Sequence, residues 1–169
     1  MSEFTGIDHT AGEPAPLLDQ LAEARAKAQE AGTRPQAFKF PGWSGELVGF
    51  FTVLSKAERS LLEKAARERK LDRSLTAEQR AILASAHLVS LACRRVEFKG
   101  QPVPGEPVAS GFTDEFCDML GQPDPVTAVW EGVFFKSDDR FGRFCVRLNE
   151  WMEDPSRQVV GDDDPFDGI

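Results

Sequence analysis

The sequence predicts a single α+β domain, predominantly α-helical, with helices packed around a central buried helix at 76–95 and a small antiparallel β element. Three observations predict it. The stretch 76–95, TAEQRAILASAHLVSLACRR, is apolar over a greater length than any other in the chain. The stretch 47–54, LVGFFTVL, is β-branched and aromatic over a strand's length and follows Pro-Gly and Ser-Gly turn signals. The last third repeats large apolar side chains at helical spacing.

The chain divides in order. Residues 1–13 are polar and without periodicity and are expected to be a disordered tail. Residues 14–37 are expected to be an accessory helix and linker, with Leu17, Leu18 and Leu21 as a short stripe and Gly32 and Pro35 as its end. Residues 38–153 form the expected globular domain, and 154–169 an acidic disordered tail containing Asp162, Asp163 and Asp164.

Within the domain, Ser55 with Glu58 and Thr76 with Gln79 read as capping boxes, each side chain meeting a backbone donor that the first helical turn leaves unpaired. They start helices at Lys56 and in the central stretch. In that stretch Ile82, Ala86, Val89 and Cys93 share one face, and Arg94 and Arg95 close it, where the helix dipole favours cations. Val96–Phe98 is expected to leave as a strand. Lys99–Gly111 follows as a loop or hairpin tip, its second arm holding Val103 or Val108 and supplying the antiparallel partner of 47–54. Thr113 caps a short helix that ends at Gly121, and Asp124-Pro125 opens the next. Val126, Val129, Trp130, Val133 and Phe134 then lie on one face, as do Phe141, Phe144, Cys145, Leu148 and Met152 after the break at Ser137. These last two helices are expected to form an antiparallel pair.

Composition excludes several function classes. A net charge of −8 lacks the basic footprint of a nucleic-acid binder. No apolar run approaches the ~20 residues of a membrane span, so a soluble, unexported protein is expected, with neither nucleic acid nor membrane as partner. The three cysteines, Cys93, Cys117 and Cys145, lack metal-ligand spacing and read as reduced core thiols. His9 lies in the N-terminal tail, and His87 has no acidic residue within a helical turn, so neither reads as a catalytic base. Asp162–Asp164 lacks the alternating oxygens of a calcium loop; around Phe166 the same segment has the look of a short docking motif. Gly42, Gly45 and Gly49 lack the following Lys of a phosphate loop. No catalytic residue, cofactor or metal site is expected.

Binding is the remaining class. The chain uses Phe 13 times and Tyr never, so most of its aromatic surface has no polar handle. Trp130 and Phe134 serve as core between the last two helices or as partner surface. Phe135 and Trp151, set beside the stripe residues Phe134 and Met152, are expected to point away from the stripe and enlarge an apolar patch if exposed. Trp130, Phe134, Phe135 and Trp151 are therefore the candidate partner-binding residues.

The run Pro41-Gly42-Trp43-Ser44-Gly45-Glu46-Leu47-Val48, continued by Phe50-Phe51-Thr52-Val53-Leu54-Ser55, resembles tail assembly chaperones of long-tailed (siphovirus-like) bacteriophages, the actinobacteriophage type. Leu91-Ala92-Cys93-Arg94-Arg95-Val96, Leu120-Gly121-Gln122-Pro123 and Glu150-Trp151-Met152 extend the resemblance over roughly residues 38 to 153. It implies a non-enzymatic protein of the host cytoplasm that coats the aggregation-prone tape measure protein during tail assembly and is absent from the mature virion. It further implies contacts with the tail tube protein, with a longer product of programmed frameshifting of which this chain is the shorter counterpart, and with copies of itself. The alternative is a structural virion protein, a head-tail connector or minor tail component. Mass spectrometry of purified particles separates the two.

Overall fold

A computed structural model of the chain describes residues 14–156. The tail expected at 1–13 and most of that expected at 154–169, with His9, Asp162–Asp164 and Phe166, lie outside the described residues. The order is α1 (Pro14–Thr33), β1 (Gln36–Lys39), β2 (Leu47–Phe51), α2 (Lys56–Leu71), α3 (Ala77–Ala92), β3 (Cys93–Phe98), β4 (Gln101–Pro102), α4 (Asp114–Met119), α5 (Pro125–Thr127), a π-helical turn (Ala128–Val133) and α6 (Asp138–Glu153). The fold is α+β and mainly helical, with one four-stranded antiparallel sheet in the order β1-β2-β3-β4.

Local chemistry sets the helix starts. Ser55 and Glu58 close a complete capping box on α2, and Thr76 and Gln79 close another on α3. Thr113, Asp124 and Ser137 each accept from the backbone three residues on and open α4, α5 and α6. Around α3 lie α2, α5, the π-turn and β3, with Ala86, Val89, Ser90 and Ala92 buried.

The expected end of the central helix is corrected. It stops at Ala92, and Cys93, Arg94 and Arg95 belong to β3. Strand pairing overrides helix continuation here: Cys93 lies opposite Phe51 and Arg95 opposite Phe50, leaving Arg94 as the extra residue of a bulge. The bulge re-aims the Arg94 side chain. Its Nε donates to Thr52 Oγ1 at 2.6 Å, and its two Nη atoms reach Glu58 Oε2 and Oε1 at 2.5 and 2.8 Å. Glu58 Oε1 also accepts from Ser55 N, so one carboxylate joins β3 to the start of α2. The Arg94 hydrogen bonds draw the Glu58 carboxyl down to about 2.

One strand is unexpected and another differs from expectation at its end. β1 begins at Gln36, inside the expected linker, and pairs with β2 in the register Phe38 opposite Gly49. β2 ends at Phe51 rather than Leu54. The antiparallel partner of β2 is corrected: it is β3 itself, which leaves α3 directly, and the expected second arm is only Gln101–Pro102, holds neither Val103 nor Val108, and pairs with β3 instead.

The core is built from phenylalanines. Phe40 packs against Phe51, Phe112, Phe134 and Phe144, and Phe144 also meets Phe38. Leu47, Gly49 and Phe51 face this cluster from β2. At Gly49 a Cβ would stand 2.7 Å from the Phe51 ring and 2.8 Å from that of Phe40, so only glycine lets the two rings close over the strand. The three cysteines are free and buried, and burial pushes their thiols up to about 12 for Cys93 and Cys145 and about 11 for Cys117. Thiols held this firmly protonated are inert packing groups.

Candidate partner-binding surface

The aromatic-faced segment after Pro125 does not wind as a plain α-helix. After one α-turn it widens, with Phe134 N donating to Val129 O at 3.1 Å, five residues back. Gly132 permits the close approach there: a Cβ on it would lie 3.1 Å from Leu120 Cδ1. Wide turns of this kind are uncommon and cluster at functional sites. The segment then ends abruptly, because Phe135 and Lys136 both take left-handed backbone, at φ +51° and +57°. A bulky residue in that region costs about 1 kcal/mol or more.

That backbone decides the fate of adjacent phenylalanines. Phe134 turns inward, 1% exposed, with ring centroids 5.0 Å from Phe141 and 5.2 Å from Phe144. Phe135 turns outward, 59% exposed, and lies flat on the indole of Trp43 at 5.6 Å and 24°. Trp43 comes from the turn between β1 and β2, where Gly42 and Gly45 take positive φ. It is half-buried, and its Nε1 donates to Val133 O at 3.0 Å. The polar end of the indole thus satisfies a carbonyl at the end of the π-turn, while its ring supports Phe135.

The indole also forms one wall of an open apolar groove of ≈ 340 Å³. Leu47 and Phe98 line it from the sheet, Pro102, Val103 and Pro104 from the β3–β4 hairpin and the loop after it, and Phe116, Met119 and Leu120 from α4 and its end. Gln101 is the one polar residue in the lining. Met119 is 71% exposed and Phe98 39%. Lys99 lies beside the groove, 5.4 Å over the Phe98 ring and 3.7 Å from the Glu46 carboxylate. An apolar floor with a charged edge is the layout of an interface core and rim. A second exposed apolar stripe lies on α1, where Leu17, Leu18 and Leu21 stand free and every side chain described is exposed.

The four candidate residues are not brought together. Phe135 is on the surface as expected. Trp130 is half-buried with its ring 5.2 Å from Phe141. Phe134 is core. Trp151, expected to point outward, is buried against Phe38 at 5.7 Å while Met152 is only partly covered. The inner stripe of α6 runs through Phe141, Phe144, Leu148 and Trp151 in steps of three and four, which carries it to Trp151 instead of Met152. Sequence reasoning missed Trp43, Phe98 and Met119. The signals were a Trp inside a Pro-Gly-Trp-Ser-Gly turn and the spacing of Phe116, Met119 and Leu120, but neither says which neighbours leave them uncovered.

His87 faces a guanidinium. Its Nδ1 lies 2.9 Å from Arg69 Nη2 and so accepts from the guanidinium, leaving the ring proton on Nε2. Burial and then the Arg69 charge lower its pKa. Among the described residues no three His, Cys, Asp or Glu side chains gather as a metal site, and no helix is long and apolar enough to cross a membrane. Comparison with known protein families, characterised proteins and solved structures finds no match.

Proposed function

We propose that this chain is a binding protein for apolar segments of a longer polypeptide, and that it acts as a phage tail assembly chaperone on the tape measure protein in the host cytoplasm. The observation that carries the reading is the outward stack of Phe135 on Trp43, continuous with the groove that Phe98 and Met119 leave open. Exposed aromatic surface beside an apolar groove is a place for a partner's side chains to dock. A groove of ≈ 340 Å³ accommodates large side chains of an extended or helical client one or two at a time. Each such contact is weak, and many copies along one long client bind through effective concentration. The net charge of −8 keeps the coated assembly soluble by mutual repulsion. The spaced pattern from Pro41 to Ser55 supplies the phage resemblance, and Trp43 of that pattern is the side chain shared by the stack and the groove.

Co-expression with a tape measure protein, followed by size-exclusion chromatography, tests the proposal. The expected result is a soluble complex carrying several copies of this chain per client. A tape measure protein equally insoluble with and without this chain would overturn it.

A further inference from the structure

The groove beside Trp43 adjoins a second depression of different chemistry. An open cleft of ≈ 420 Å³ lies where the loop after β4 meets the start of α4, and its charged lining is Glu106, Asp114 and Glu115. Phe116 lines the groove and Phe112 the cleft, and their ring centroids stand 5.8 Å apart. Pro104 O on the groove side accepts from Thr113 Oγ1 on the cleft side. Glu115 Oε2 closes over Gly105, next in the chain to Pro104, where φ is +99° and no Cβ would fit. The apolar and acidic depressions are thus about one helical turn apart.

Charge on this side has one sign. Between Lys99 and Lys136 the sequence has six carboxylates and neither lysine nor arginine. Glu106, Asp114 and Glu115 are exposed and form no ion pair among the described residues. Lys99, beside the groove, is already matched by Glu46. A partner that covers both depressions meets apolar surface and uncompensated negative charge together, which favours lysine or arginine on that partner.

The backbone of the groove restricts the partner's conformation. Pro102 and Pro104 have no N–H, and Val103 N already donates to Val96 O at 3.0 Å. An extended segment laid along this wall finds no donor with which to join the sheet, and its own backbone groups lose water without replacement. A helix satisfies its backbone internally and offers only side chains.

We propose that the occupant is a basic amphipathic helix of the partner, which sets an apolar side chain in the groove and a lysine or arginine about one turn away in the cleft. This rests on the reading of the groove as a client surface and adds the client's charge and conformation.

Fluorescence anisotropy of dye-labelled peptides titrated with the full chain tests the proposal. Each peptide is about 20 residues long, enough for several helical turns. The first carries leucines at helical spacing flanked by lysines, the second has glutamate for every lysine, and the third has two central prolines that bar a helix. The first is expected to saturate and to gain helical circular dichroism on binding, and the other two to bind roughly tenfold or more weakly. Glu106→Gln with Glu115→Gln weakens the first peptide about fivefold, the value of two exposed charge pairs. Glu23→Gln with Glu63→Gln, the same charge change on α1 and α2, leaves it unchanged. Met119→Ser weakens the first peptide and so marks the groove as its site. Equal binding of the lysine and glutamate peptides, both weakened by Met119→Ser, overturns the charge preference and leaves the groove reading standing. Equal loss from the two glutamate pairs removes the role of the cleft, and tight binding of the proline peptide removes the helix. No binding by any peptide overturns this proposal and the groove reading together.

Discussion

Phe134 and Phe135 are neighbours in the chain and opposites in the fold. The first is packed among Phe40, Phe141 and Phe144, in a cluster that satisfies itself. The second rests on one indole with its other side open. Composition does not separate them, since both are apolar rings without a polar atom. Backbone conformation does: a widened turn followed by two left-handed residues rotates one ring in and the next out. The inner aromatics stabilise this chain. Phe135 costs backbone strain and, 59% exposed, returns little packing.

The largest loss of stability is expected in the core. Phe40→Ala removes the ring that four other phenylalanines contact and is expected to cost about 3–5 kcal/mol. Urea unfolding followed by fluorescence or circular dichroism reads it as a lower midpoint with an unchanged slope.

The Arg94–Glu58 pair belongs to neither aromatic region and sharpens the contrast by separating charge from packing. Glu58→Gln is expected to cost about 1 kcal/mol near neutral pH. The sign of its pH dependence is set by a folded-state value lowered from 4.5 to about 2. Between those values the unfolded chain binds the proton first, so the contribution is full above 4.5 and is lost as pH falls toward 2. Acid titration of stability checks this: the unsubstituted chain loses more stability across that window than Glu58→Gln does.

The smallest expected effect on stability is at the surface. Phe135→Asn is expected to stay within about 0.5 kcal/mol of the unsubstituted chain, because asparagine tolerates the left-handed backbone that phenylalanine resists. Thermal unfolding measures it. A loss as large as that of Phe40→Ala would erase the distinction between the two rings.

Much of the fold is legible in the sequence because it is written locally. Ser55, Thr76, Thr113 and Asp124 all cap the helices they are expected to cap, and Ser137 caps a helix where a break is expected, since a cap needs only residues three positions apart. What the sequence hides depends on distant partners. Cys93 to Arg95 continue a helical pattern and become strand because β2 pairs with them. Gln36–Lys39 has too few residues to announce a strand without its neighbour. The candidate surface is half legible for the same reason. Phe135 is singled out by its place beside the stripe. Trp43, Phe98 and Met119 meet only when the β1–β2 turn, the β3–β4 hairpin and α4 converge. Trp151 is misplaced by one helical position, enough to exchange inside for outside.

On the proposed function, the outward aromatic surface, not the core, is what the client meets. Its most direct test is tape measure solubility on co-expression with either the unsubstituted chain or the Phe135→Asn, Met119→Ser double variant, both first shown to be folded. The unsubstituted chain is expected to keep the client soluble and to co-elute with it, whereas the folded double variant leaves it in the pellet. Equal protection by the two proteins would contradict it.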